Sequence, residues 1–325
     1  VTFISMFIVT AAVTFVAAGL LSNLMGLAIS IDIWAAVIFF FCVILLSTGK
    51  YNALDGLLKV VSTVLLISTV TAVMIAFING RTPRVAGFLP KEVLSPEGVI
   101  FLIALMGWMP TAVDMSTWTG LWAEARMKQT GYRPTKKETL LDFNLGYGIT
   151  ALLAIVFLSL GALVLFGTGI ELSNSSAAFA GQLIGMYTSS IGEWSYIIIA
   201  AAAFSTMFST SITVLDGYGR SMERIQKLLG GKTQKWSYTV WIGLVTVGSY
   251  IVISQFLNDL KSLVDLATIL SFVIAPLAAY LNYKVILSKE VTADFQPPHW
   301  LRLLAQAGMV FLILFTLIYF GVLIF

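Results

Sequence analysis

Charge is scarce in this chain. Asp, Glu, Lys and Arg make up only 11% of its 325 residues, whereas 58% of the residues are hydrophobic. Soluble domains carry roughly 25% charged and 45–50% apolar residues, so a surface made from this composition cannot all face water. Apolar runs of about 20 residues, the length of a helix that crosses a bilayer, recur along the whole sequence. We therefore expect an all-α polytopic membrane protein whose main partner is the lipid bilayer.

The side chains of common metal and disulfide patterns are also scarce. Cys42 is the single cysteine and lies in an apolar run, which excludes a disulfide framework and a cysteine-based metal site. His299 is the single histidine and follows two prolines, so a histidine-rich metal site is excluded within this chain.

We find no nucleophile–base set, phosphate loop or nucleotide fingerprint. The net charge of +3 is spread over short connectors rather than gathered in a stripe. The sequence thus predicts no enzyme, no permanently bound cofactor, no nucleic-acid partner and no obligate protein partner.

Nine membrane spans are predicted from the apolar runs. They lie at residues 5–26, 31–47, 53–77, 99–122, 145–167, 196–219, 237–256, 263–283 and 303–325. Fourteen of the 19 Lys and Arg residues fall in one alternating set of connectors, and the opposite set holds Arg81, Arg84, Lys91 and Lys261. Because basic residues concentrate on the cytoplasmic side, we expect residue 1 inside and the C-terminus outside, in a multi-pass cell or inner membrane protein. Residues 176–189 are too short and polar to span, and they predict a short surface helix.

The fourth span contains Gly107 and Pro110 near its middle. Proline removes a backbone donor and clashes with the preceding turn, and glycine loosens the helix further, so a break is expected here. Secondary transporters use such breaks to bind ions through freed carbonyl groups. Polar Thr111, Asp114 and Ser116 follow the break, and an ionisable residue inside a span usually faces a partner or a water path. The break is therefore a candidate binding site. A proline kink that only shapes packing, and an Asp114 that is simply hydrated, are the alternatives.

Two other spans carry polar residues. The eighth contains Pro276 with Thr268 and Ser271 upstream, which makes it a second, weaker candidate for an opened helix. The sixth carries a run of Ser and Thr between residues 205 and 213, followed by Asp216. Small hydroxyl residues let membrane helices approach each other, so packing is the favoured explanation for this run.

At Met109-Pro110 the sequence resembles the Nramp family of divalent-metal transporters, whose sixth transmembrane helix carries an Ala-x-x-Met-Pro-His motif. Residues 142–154 resemble the family's seventh helix, residues 208–219 its eighth and residues 22–26 the end of its third. The resemblance covers nearly the whole chain. Its most specific parts are the Met-Pro pair and the Ser-Thr-Ser-Ile-Thr segment that begins at Ser209.

The resemblance implies a LeuT/APC-type fold of two inverted five-helix repeats followed by an extra helix. The nine predicted spans then correspond to family helices three to eleven within one transporter domain, residues 1–325. Residues 1–79 would complete the first repeat, residues 97–285 would form the second, and residues 300–325 would be the extra C-terminal helix. Since Val1 is not a start methionine, we expect the first two helices upstream of it. Those helices would carry the family's Asp-Pro-Gly-Asn segment and half of the metal ligands.

The resemblance also implies ligands. Met109 matches the family's thioether ligand, and Met106 takes the place of the residue whose backbone carbonyl binds the ion. A soft sulfur ligand favours Mn²⁺ or Fe²⁺ over Mg²⁺ and Ca²⁺, which prefer oxygen shells. Without the resemblance, a methionine in an apolar helix would be read as packing.

Departures from the family pattern concern the residues that carry protons. Thr111 replaces the motif's histidine, and Ser116 replaces a second histidine further along. The family's acidic residues on its third helix align near Ala11 and Thr14, and a glutamine of its tenth helix aligns near Ile269. Because groups that titrate near neutrality are missing at these positions, proton coupling of the usual kind is not expected.

Three classes of function remain after this comparison. The first is a secondary transporter that moves a divalent metal ion, Mn²⁺ or Fe²⁺, by alternating access, with Asp114 as a candidate proton or cation site. The second keeps the fold but changes the cargo: an amino-acid or other organic-solute symporter, or a Mg-type Nramp-related carrier. A sensor or non-transporting scaffold is the third, and it gives no account of the break.

Overall fold

Apolar helical runs dominate the computed structural model of the chain, which describes residues 2–48, 52–90, 92–232, 234, 236–256 and 259–324. Within these residues the chain forms eleven α-helices and no β-strand, which confirms the predicted all-α class. The helices are α1 (Thr2–Met25), α2 (Ile31–Thr48), α3 (Asn52–Asn79), α4 (Pro96–Trp108), α5 (Met115–Thr130), α6 (Lys136–Val164), α7 (Ser176–Ile191), α8 (Tyr196–Leu228), α9 (Ser237–Gln255), α10 (Leu260–Ile286) and α11 (His299–Ile324).

Eight helices in the described part of the chain are long and apolar enough to cross a bilayer. They are α1, α2, α3, α6, α8, α9, α10 and α11. The predicted fourth span is different, because it is divided between the 13-residue apolar helix α4 and the separate helix α5. The nine predicted spans thus correspond to eight long helices and one interrupted helix.

Two helices extend well beyond the apolar runs that predicted them. Helix α6 begins at Lys136 rather than near residue 145, and α8 continues to Leu228 rather than ending near residue 219. At the start of α6, Glu138 accepts hydrogen bonds from the backbone N–H and the hydroxyl of Thr135, at 2.7 and 2.9 Å. The Thr135 hydroxyl in turn accepts the backbone N–H of Glu138 at 3.4 Å, and this reciprocal cap stabilises a polar first turn. Hydropathy marks only the apolar part of a helix, so the polar ends were missed.

Helix α10 runs through Pro276 without interruption, so the predicted opening at this proline is wrong. One proline removes a single backbone donor, and a long membrane helix tolerates this where neighbouring groups compensate. Gly107 and Pro110 lie close together in the fourth span, whereas Pro276 stands alone in the eighth.

Helix α7 is short, as residues 176–189 predicted, and one of its faces is buried within the protein. Its residues Ala180, Ile184 and Tyr187 are at most 2% exposed. The hydroxyl of Ser176 donates to the carbonyl oxygen of Phe15 at 2.7 Å, and Gly19 leaves the space that Ser176 fills, since a Cβ there would lie 2.2 Å from the Ser176 hydroxyl. Helix α7 is therefore packed against α1 through a close small-residue contact.

The helices group into two compact units. Unit 1 comprises Val1–Pro90 and Leu152–Val264, and unit 2 comprises Lys91–Ala151 and Asp265–Phe325. In unit 1, α1 packs against α2, α7, α8 and α9. Unit 2 contains α4, α5, α11, the first half of α6 and most of α10, and Val99, Ile103 and Phe272 form a buried cluster in it. The interrupted helix belongs entirely to unit 2.

Candidate functional site

Helix α4 begins with a strong start signal. Ser95 is the N-cap, and its hydroxyl accepts the backbone N–H of Gly98 at 3.2 Å. Pro96 occupies the first turn, where its missing N–H costs nothing, and Glu97 adds a favourable negative charge there. The helix therefore begins at Pro96, directly after this cap, and its residues up to Trp108 are mainly apolar.

The end of α4 is equally well defined. Met109 has an extended backbone (φ −111°, ψ 125°), and its N–H still donates to the carbonyl oxygen of Leu105 at 3.0 Å. The Met109-Pro110 peptide bond is cis. Helix α5 starts at Met115, after a turn in which the carbonyl of Ala112 accepts the Met115 N–H at 3.2 Å. The chain thus breaks at the position that Gly107 and Pro110 predict.

The break frees a carbonyl group. In an α-helix the carbonyl of residue i accepts the N–H of residue i+4, and the residue four positions after Met106 is Pro110, which has no N–H. The side chain of Met106 packs beside the buried cluster of Val99, Ile103 and Phe272. Its freed carbonyl oxygen is one group that Met106 can offer to a ligand.

Helix α10 approaches α4 at the last turn before the break. Gly107 is buried, and a Cβ at this position would lie 1.9 Å from the carbonyl oxygen of Thr268. One residue later, the indole Nε1 of Trp108 donates to the hydroxyl of Ser271 at 3.1 Å. The structure thus brings together three predicted site residues, Gly107, Thr268 and Ser271, although α10 itself stays helical.

The other side of the break also contacts α10. The hydroxyl of Ser116, in the first turn of α5, accepts a hydrogen bond from the Asn282 amide at 3.1 Å. Asp114 is partly exposed, and its carbonyl accepts the Thr117 hydroxyl at 2.9 Å. Met109, Pro110 and Thr111 are partly exposed too. Both halves of the interrupted helix are therefore hydrogen-bonded to α10.

Sequence reasoning missed Trp108 and Asn282. The tryptophan lies inside the quoted motif, but nothing in its local pattern distinguishes a hydrogen-bonded indole from a packed one. An amide near the end of an apolar span was a usable signal for Asn282, since polar side chains within membrane helices often hydrogen-bond to a neighbouring helix.

The hydroxyl run on α8 serves its own helix. Thr206, Thr210 and Thr213 each donate to the carbonyl four residues earlier, at 2.9, 2.9 and 2.8 Å. These bonds satisfy the hydroxyl protons locally.

The possible metal ligands at the break are the Met109 thioether, a freed backbone carbonyl group, hydroxyls and the Asp114 carboxylate. Among the residues whose placement is described, no three or more His, Cys, Asp or Glu side chains gather where they would hold a metal ion. The groups near the break that could hold a cation are the Met109 sulfur, a freed carbonyl oxygen and the single carboxylate of Asp114.

Comparisons with known proteins agree with these features. The family described as natural resistance-associated macrophage protein-like matches residues 1–321. An uncharacterised protein of Pasteurella multocida (strain Pm70) is 36% identical over 318 residues, which are 95% of this chain and 71% of the length of that relative. The family match includes α4, the break, α5 and α10.

Proposed function

Because the chain belongs to the Nramp family of helical, LeuT-fold divalent-metal transporters, we propose that it carries Mn²⁺ or Fe²⁺ across the membrane. The chain is an integral multi-pass membrane protein. The observation that supports this proposal best is the break between α4 and α5, where Met109 leaves the helix and the Met106 carbonyl loses its helical partner.

The two proposed ligands at the break, the Met109 thioether and the Met106 carbonyl oxygen, favour particular ions. A thioether is a soft ligand that suits Mn²⁺, Fe²⁺ and softer ions, whereas Mg²⁺ and Ca²⁺ prefer shells made only of oxygen. A carbonyl oxygen serves all of these ions, so the Met109 sulfur is the group that discriminates. Water or further protein groups would complete the coordination shell.

The break also gives a mechanism. In transporters of this fold the substrate site lies at a discontinuous helix, and alternating access rocks one repeat against the other around it. We place the second repeat at residues 97–285, opened by the broken α4–α5 helix, with residues 300–325 as the extra helix. The excess of Lys and Arg in one set of connectors supports a cytoplasmic residue 1 and an outer C-terminus.

Uptake into proteoliposomes tests the cargo. With the transporter reconstituted, Mn²⁺ is expected to accumulate in the vesicles, and an excess of mixed amino acids is expected to leave its initial rate unchanged. Accumulation of an amino acid without any Mn²⁺ uptake would contradict the proposal and favour an organic-solute symporter of the same fold. Uptake of Mg²⁺ as fast as Mn²⁺ would instead favour a Mg-type carrier.

The coupling of metal transport to a proton or a second cation is the part of the proposal that depends on Asp114. Thr111 and Ser116 carry hydroxyls that do not titrate near neutral pH, which leaves Asp114 as the ionisable group at the break. If its carboxylate takes up a proton or cation during the cycle, Asp114→Asn is expected to flatten the dependence of Mn²⁺ uptake on external pH, because the amide of asparagine does not titrate.

Glu124→Gln is the matched control for this variant. Glu124 lies on α5, the helix that follows Asp114, and its partly exposed side chain pairs with Lys128 at 2.7 Å, a type of surface contact that contributes little to stability. Its loss is expected to leave the pH dependence as in the wild type. An unchanged pH profile in Asp114→Asn would exclude the coupling role of Asp114.

A further inference from the structure

Trp108 and Ser271 form a hydrogen-bonded pair at the end of α4. The indole Nε1 donates to the Ser271 hydroxyl at 3.1 Å, and that hydroxyl donates onward to the carbonyl of Ala267 at 2.9 Å. Ser271 is only 1% exposed. The indole of the last residue of α4 is therefore fixed to the backbone of α10 through one serine.

The pair lies beside a point where the backbones of α4 and α10 approach each other closely. A Cβ at Gly107 would collide with the Thr268 carbonyl oxygen, so the two helices touch one residue before Trp108. Thr268 and Ser271 are three residues apart and lie on the same face of α10. Gly107, Trp108, Thr268 and Ser271 thus form one contact, which ends where the extended backbone of Met109 begins.

The hydroxyl of Ser271 has little left to offer an ion. A serine carries one proton and two acceptor lone pairs. Its proton is used on Ala267, and one lone pair accepts the indole of Trp108. The geometry of Ser271 is thus that of a residue that supports Trp108, and not that of an ion ligand.

We propose that Ser271 is a positioning residue for the ion site. It holds the Trp108 indole, and so it fixes the last turn of α4, which supplies the Met106 carbonyl, and the Met109 backbone that follows. This inference rests on the proposed transport of a divalent metal. Without the Ser271 hydroxyl, Trp108 loses its hydrogen bond to α10. The two proposed ion ligands, the Met106 carbonyl oxygen and the Met109 sulfur, are then no longer held in place before the ion arrives.

A double-mutant cycle tests this role. One hydrogen bond contributes about a factor of five in affinity, so Ser271→Ala is expected to raise the KM for Mn²⁺ about fivefold, with Vmax per folded transporter unchanged. Trp108→Phe removes the same bond from the other side and is expected to raise KM at least as much. Because both variants break one bond, the double variant is expected to be no worse than Trp108→Phe alone.

The indole N–H resonance of Trp108 gives a second readout in the absence of ion. This resonance is identified by its disappearance in Trp108→Phe, and in Ser271→Ala it is expected to shift as the hydrogen bond is lost. Ser249→Ala is the control, since Ser249 on α9 is fully buried but belongs to unit 1. It is expected to leave both the KM and the Trp108 resonance unchanged.

The outcomes separate the two claims. If the wild type takes up no divalent metal, the proposed function fails and this inference fails with it. If the wild type transports Mn²⁺ but Ser271→Ala has the wild-type KM, or if the two single effects add in the double variant, only the positioning role is overturned. An unshifted Trp108 resonance in Ser271→Ala overturns it as well.

Discussion

Met109→Ala is expected to raise the KM for Mn²⁺ by about tenfold or more and to leave the KM for Mg²⁺ nearly unchanged. Loss of a residue that only supports a metal ligand already weakens metal binding by about tenfold. The alanine lacks the soft sulfur, while the freed Met106 carbonyl remains. Because the sulfur is the group that distinguishes Mn²⁺ from Mg²⁺, the KM for Mg²⁺ divided by the KM for Mn²⁺ is expected to fall. Initial uptake rates of each ion into proteoliposomes measure both values.

Met127→Ala is the matched control for the thioether. Met127 lies in the last turn of α5, where its carbonyl accepts the N–H of Gly131, so the backbone bond survives the substitution. Uptake of Mn²⁺ by this variant is expected to match the wild type. Equal KM values for Mn²⁺ in Met109→Ala and in the wild type would contradict the assigned ligand.

Gly107→Ala is expected to destabilise unit 2 and abolish most transport. The new methyl group would meet the Thr268 carbonyl oxygen at 1.9 Å, far inside contact distance, and this atom is backbone that cannot swing aside. Forcing extra atoms into a packed core costs about 1–3 kcal/mol or more. Separating α4 from α10 would also break the Trp108–Ser271 hydrogen bond. A lower melting temperature and a smaller yield of monodisperse protein in detergent measure the effect.

Gly308→Ala on α11 provides the comparison. An added Cβ at Gly308 meets nothing within 4 Å, and alanine favours a helix over glycine by about 1 kcal/mol. This variant is expected to melt at or above the wild-type temperature. If Gly107→Ala behaved in the same way, the close approach of α4 and α10 would not exist in the folded protein.

The break was predictable because its causes are local. Gly107 and Pro110 lie three residues apart, and the loss of a donor at Pro110 follows from covalent chemistry alone. Pro276 shows the limit of that argument. The same residue type in α10 leaves the helix intact, because a single missing donor does not decide between a kink and an opening; the surrounding packing does.

Contacts between distant residues were not predictable from one sequence. Trp108 and Ser271 lie 163 positions apart, and no period or motif connects them. The burial of α7 depends in the same way on Ser176 reaching the carbonyl of Phe15, 161 positions away. Composition identified Thr268 and Ser271 as polar residues within a span, but only the structure shows that Ser271 holds Trp108.

The most direct test of the ion site is an anomalous X-ray difference map of crystals grown with Mn²⁺, measured near the manganese absorption edge. A peak is expected between α4 and α5, beside the sulfur of Met109 and the carbonyl oxygen of Met106. A peak elsewhere in the transporter, or none at saturating Mn²⁺, would contradict it.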